Sequence, residues 1–228
     1  HAGWIAAAGG LASTSDSPLP IIILFPEVIF NRKRFIKKVR EKVRKCGYCS
    51  IVVSEGVKGA NGKFLSDQGL TDAFGHAQLG GVAPVIANII KNDLGLKYHW
   101  GVADYLQRAA RHIASKVDVD QAYALGESAV KLAMQGHNAV MPTIERISDS
   151  PYRWQISSTP LSRVANVEKK MPKKFISNDG FGITPSCERY LKPLIKGEAY
   201  PPFKDGLPKY VVLKNKLVAK KIGMDFKL

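Results

Sequence analysis

The chain has 228 residues, of which 45% are apolar and 23% charged, and its 34 Lys+Arg against 19 Asp+Glu give a net charge of +15. This composition excludes a disordered chain, and no apolar run approaches the roughly 18–20 residues of a membrane-spanning helix. The positive balance favours an anionic partner and leaves nucleic acid, a membrane surface or a phosphorylated small molecule open.

The opening "HAGWIAAAGGLAS" has no basic leader and two glycines interrupt its apolar stretch, so it does not read as a signal peptide. It begins with His and not Met, and we expect a piece of a longer protein. Residues 4–12 predict a short helix. "SPLPIIILFPEV" (17–28) is a continuous apolar run between prolines, the pattern of a strand buried on both faces. "NRKRFIKKVREKVRK" follows, with Phe35, Ile36, Val39 and Val43 at helical spacing and nine Lys/Arg against one Glu over 32–45. "YCSIVVSEG" (48–56) predicts the next buried strand, and strand, helix, strand at this spacing makes a parallel βαβ unit.

Residues 57–81 form a long Gly-rich excursion. Within them "GHAQLGG" (75–81) looks like a phosphate loop but lacks its G-K-[ST] ending, and is expected to be a tight connection. "VAPVIANIIKNDLG" predicts a helix ending near Gly95. The alternating run 98–106 predicts a third strand, with Tyr105 and Arg108 at its carboxyl end. "DVDQAYALGESAVKLAMQG" predicts a helix with Asp118 as N-cap and Gly136 just past its end. "NAVMPTIERI" predicts a strand. From Pro151 onward the pattern loosens into prolines, short helices such as "PSCERYLKPLIKG" and a basic tail.

Three cysteines, Cys46, Cys49 and Cys187, argue against a disulfide framework and for a reducing compartment. Cys46-Gly-Tyr-Cys49 spells C-x-x-C but precedes a strand and has no matching ligand pair, which counts against both redox and zinc roles. His76 and His112 are read as structural or surface residues. The basic helix offers phosphates a charged face but no stacking side chain, so we expect a solvated surface and no nucleic acid or membrane partner.

The elements together predict an α/β fold with a mostly parallel sheet covered by helices. Ligands of such folds sit at the carboxyl ends of strands. Those ends carry Glu27, then Ser54, Glu55 and Gly56, then Tyr105 to Arg108. An acceptor, a hydroxyl and a guanidinium fit a phosphorylated sugar.

"HAGWIAAAGGLA", "LFPEVIF", "VVSEG", "FGHAQLGGVAP" and "DYLQRAARHIAS", in this order, resemble the phosphofructokinase family, in its pyrophosphate-dependent branch. The resemblance continues through "RISDSPYRW", "ANVEKKMP" and "DGFGIT" and corresponds to the C-terminal half of such an enzyme. It implies a cytoplasmic, homo-oligomeric enzyme of glycolysis with two lobes between which the chain crosses. Residues 1–107 would form the sugar-phosphate-binding lobe, 108–147 a segment returning to the phosphoryl-donor lobe, and 148–228 a C-terminal tail packing back. The implied partners are fructose 6-phosphate and pyrophosphate, with Mg²⁺. Glu27 would accept from sugar hydroxyls, and Tyr105, Leu106, Gln107 and Arg108 would bind substrate, with Arg108 on the 6-phosphate. His99 stands where relatives often carry an Arg reaching a neighbouring subunit, with Lys97 nearby as a charge. The family's donor loop, catalytic base and Met-Gly-Arg motif have no counterpart in these residues, so the isolated chain is expected to be inactive. An ATP-dependent relative, a non-catalytic sugar-phosphate module and, more distantly, a nucleic-acid-binding protein are the alternatives.

Overall fold

The computed structural model describes residues 2–71, 77–79 and 81–219, with backbone only at 68–71, 77–79, 107 and 108. In chain order the elements are α1 (Trp4–Gly9), β1 (Ile21–Leu24), α2 (Arg32–Cys46), β2 (Ser50–Val53), β3 (Asp67–Thr71), β4 (Ala77–Leu79), α3 (Val82–Leu94) and α4 (Leu106–Ala109). Then follow α5 (Lys116–Met134), β5 (Val140–Asp149), β6 (Tyr152–Pro160), α6 (Pro185–Leu191), β7 (Phe203–Lys204) and β8 (Leu207–Pro208). No described helix is long and apolar enough to cross a membrane.

The expected α/β class with its parallel βαβ unit is present: β1 and β2 pair in parallel, Ile21 opposite Ser50 through Leu24 opposite Val53. The other described pairs, β3–β4, β5–β6 and β7–β8, are antiparallel. Successive side chains of β1 point to opposite faces, so a strand with no polar residue must be covered on both. Ile22 and Leu24 join Phe35, Ile36 and Val39 of α2 and Ile86 and Ile90 of α3 in one core cluster. Ile23 and Phe25 join Ala6 and Ala7 of α1 with Met171, Phe175, Cys187 and Leu191 in a second. The result is three layers around the parallel pair.

Local chemistry sets the helix ends. Asn31 accepts from the Arg34 N–H at 3.0 Å and starts α2. Gly47, at φ 79°, ends it in the left-handed conformation that a side chain resists, its N–H on the Val43 carbonyl at 2.7 Å. In α5 the N-cap is Ser115 and not Asp118: Ser115 Oγ accepts the Asp118 N–H at 3.2 Å. Asp118 instead lies in the first turn, where its charge meets the positive end of the helix dipole. Gly136 follows the end of that helix as expected, at φ 81°.

Two further expectations fail. Residues 95–103 form no strand, and the chain enters α4 at Leu106 through a turn at Asp104 and Tyr105. Alternation marks a strand only where a neighbour supplies hydrogen bonds, and among the described residues none lies beside this segment. Past Pro151 the chain does not loosen at once: β6 pairs with β5 along its whole length. Prolines 151 and 160 bracket β6, and Arg153, Gln155 and Ser157 interleave its apolar positions, which dilutes the hydrophobic signal. The hairpin is tied down by Arg146, whose guanidinium lies 4.8 Å from the Tyr152 ring and 4.1 Å from the Tyr190 ring of α6. Gln121 of α5 donates to the Tyr152 hydroxyl at 2.7 Å.

Candidate functional site

Glu27 stands at the carboxyl end of β1, fixed between Pro26 and the turn that leads to α2. Its Oε1 accepts two backbone N–H groups, from Gly3 at 3.0 Å and Met171 at 2.9 Å. Its Oε2 is buried and, among the described residues, has no hydrogen-bond partner. Leaving a buried oxygen unpaired costs on the order of 1–3 kcal/mol, and an ordered water is one ordinary way to satisfy it. Space for Oε2 comes from Gly3, where a Cβ would stand 2.7 Å from it.

On the other side of α1, the carboxyl end of β2 opens on a groove of about 1360 Å³. Its lining includes β2 with Ser54, Glu55 and Gly56 after it, residues 96–105, Ala2, Ile5 and Ala6, and residues of α2 and α3. Small-molecule sites span roughly 300–1,000 Å³, so this groove exceeds what one sugar phosphate fills. Tyr105 and His99 share its lining, together with Tyr98 and Trp100. Tyr105 is 68% exposed, and Leu106, at 63%, turns outward beside it. The side chains of Gln107 and Arg108 lie outside the described residues, as do Gly75, His76 and Gly80 of the "GHAQLGG" connection. Glu27 is not among the groove-lining residues; it bonds to the Gly3 N–H. Tyr105, His99 and the residues after β2 thus line one groove, and Glu27 does not line it.

The basic helix is less idle than a solvated face. Arg32 grips Asp93 through Nε and Nη2, Lys38 pairs with Asp179 at 2.6 Å, and Arg34 donates to the Asp179 carbonyl. Cys46 ends α2 and Cys49 precedes β2; burial pushes the Cys49 thiol up, only partly opposed by Lys42. A thiol held protonated is a poor nucleophile and ligand. All three cysteines are free. Among the described residues no group of three or more His, Cys, Asp or Glu could hold a metal ion.

Sequence reasoning missed Gly3 and Met171, which act on Glu27 through backbone N–H groups that leave no mark on residue identity.

Compared with known families, residues 1–133 match Phosphofructokinase. The chain belongs to the phosphofructokinase family. It is 63% identical over 226 residues to the Methylococcus capsulatus "Pyrophosphate–fructose 6-phosphate 1-phosphotransferase", covering 99% of this chain and 54% of that protein. To the protein of the same name from Halomonas elongata it is 60% identical over 228 residues, covering 100% and 54%. Among solved structures, the pyrophosphate-dependent phosphofructokinase of Nitrosospira multiformis superposes with a TM-score of 0.85 at 62% identity, covering 98% of this chain and 52% of that one. The chain thus spans about half the length of the curated relatives it matches. The family assignment agrees with the α/β layers described above.

Proposed function

We propose that the protein carrying this chain transfers a phosphoryl group from pyrophosphate to the 1-hydroxyl of fructose 6-phosphate, and that these residues supply part of the sugar-phosphate site. The observation that carries this reading is the 63% identity over 226 residues to a protein named for that transfer. The 1-hydroxyl oxygen bonds to phosphorus as the bridging P–O bond of pyrophosphate breaks and orthophosphate leaves. Glu27 is read, from the family resemblance alone, as the acceptor of a sugar hydroxyl. Arg108 takes the 6-phosphate with its fork of donors, and Tyr105, Leu106 and Gln107 complete that rim. His99, which lines the groove beside β2, is read as a contact to the substrate of a neighbouring subunit in a homo-oligomer.

Mg²⁺ belongs with such a transfer. No described cluster fits it, so no residue here is assigned to it and no step is routed through it. Residues 1–107 are read as the sugar-phosphate lobe, 108–147 as the return to the donor lobe, and 148–228 as the tail, in a cytoplasmic enzyme of glycolysis.

Kinetics of the complete enzyme test this. Arg108→Ala is expected to raise the KM for fructose 6-phosphate by roughly tenfold or more, the scale of a lost charge-assisted hydrogen bond, and to leave that for pyrophosphate nearly unchanged. Unaltered sugar-phosphate kinetics would sink the assignment. The 228 residues alone are expected to form no fructose 1,6-bisphosphate in a coupled assay.

A further inference from the structure

We propose that Asp104 is a positioning residue whose left-handed backbone sets the Tyr105–Arg108 rim against the groove beside β2, and so sets affinity for the sugar phosphate. The inference rests on the reading of that rim given above.

Asp104 has φ 46°, a region that residues with a side chain resist. Tyr105 follows at φ −71° and ψ −12°, and the Leu106 N–H donates to the Ala103 carbonyl at 2.9 Å. This is the φ pattern of a type II′ turn, whose first central position usually belongs to glycine. Aspartate bears that conformation better than most side chains, but at a cost, and strain of this kind is kept where function requires it. Little else directs the rim. Residues 95–103 before the turn form no strand. Helix α4 after it has four residues, too few to hold a direction of its own. Its bonds, from the Ala109 N–H to the Tyr105 carbonyl and the Ala110 N–H to the Leu106 carbonyl, both 2.9 Å, start from the turn itself. Beyond α4 the chain is fastened elsewhere: Arg111 donates to the Ala199 carbonyl, and the Lys116 N–H to the Gly197 carbonyl at 2.9 Å. The rim is therefore a short span held at its far end by 197–199 and aimed at its near end by Asp104. Asp104 and Tyr105 both line the groove, and Tyr105 is 68% exposed, so a solute reaches them.

Variants of the complete enzyme test this, read by KM for each substrate, kcat and Tm. Asp104→Val puts a β-branched side chain where φ must be positive. It is expected to raise the sugar-phosphate KM about tenfold, with the pyrophosphate KM within about twofold. Asp104→Gly, which takes a positive φ freely, is expected to rescue the sugar KM relative to Asp104→Val. Arg108→Ala separates the inference from the reading beneath it. If Arg108→Ala leaves sugar kinetics unchanged, the rim reading falls, and the positioning role with it. If Arg108→Ala raises the sugar KM but folded Asp104→Val does not, the positioning role alone is overturned. If Asp104→Gly raises that KM as much as Asp104→Val, the carboxylate acts and not the backbone, and the proposal is again overturned. If Asp104→Val raises the KM of both substrates together, the role is structural and the proposal falls. Should Asp104→Val not fold, Asp104→Ala decides by the same comparison.

Discussion

Asp179 gathers donors from two directions. Oδ1 accepts from Ser177 Oγ at 2.6 Å and the Phe181 N–H at 3.1 Å, and Oδ2 accepts from Lys38 of α2 at 2.6 Å. Partial burial works to raise its pKa, but these donors outweigh it and hold the carboxyl at about 2, below its ordinary 3.8. A native pKa below the unfolded one adds stability that is fully present above about pH 4 and is lost as pH falls towards 2. We expect Asp179→Asn to lower Tm at about pH 7, and the gap between it and the wild type to close by about pH 2. Parallel melting curves at several pH values would check this, and a constant gap would argue against it. The same turn hands the Phe181 carbonyl to the Ile23 N–H at 2.9 Å, so the carboxylate secures an edge of β1. At this scale the sequence was partly legible. Glu27 could be singled out by its place after Pro26 at the end of an apolar run, although a carboxylate there is usually a turn residue. Its companions could not, because a backbone N–H is the same whatever residue bears it.

Ser115 joins two elements through one hydroxyl, accepting the Asp118 N–H at 3.2 Å and donating to the Leu194 carbonyl at 2.7 Å. Ser115→Ala is expected to cost about 1–2 kcal/mol in urea unfolding, and Ser115→Thr to recover most of it. A loss under about 0.3 kcal/mol would show that the cap is dispensable. In α2, Phe35 is 0% exposed between β1 and α3, so Phe35→Ala is expected to cost about 3–5 kcal/mol by the same measurement. Helix α2 could be read from the sequence because everything that makes it is local: apolar spacing, Asn31 before it and Gly47 after it. Strand β1 was legible for a different reason, since a run of isoleucines between prolines has few other fates. Residues 98–106 were misread because a strand is the property of a pair, and period alone does not supply the second member. Strand β6 was passed over for the opposite reason: its partner β5 is adjacent, but its own outward residues are polar enough to hide it.

Across the whole molecule, charge and order are unevenly shared. The three-layer region around β1 and β2 holds both core clusters, whereas Val211, Val212, Leu213 and Leu217 stand at least 78% exposed near the C-terminal end of the described chain. Exposed apolar residues in such a run favour association. We expect the chain expressed alone to self-associate with rising concentration in light scattering, and Val212→Lys with Leu217→Lys to reduce this. Unchanged scattering in the double variant would place the sticky surface elsewhere. The parallel pair has a subtler consequence. Ser50 and Ser54 donate their N–H groups to the Pro20 and Leu24 carbonyls, so alternation turns the amides of Ile51 and Val53 the other way, towards the groove beside β2. Neighbouring amides in one short strand should therefore keep different time in heavy water: Val52 trading its proton for deuterium slowly, Ile51 and Val53 quickly, a one-residue beat that a slower rate at all three would erase.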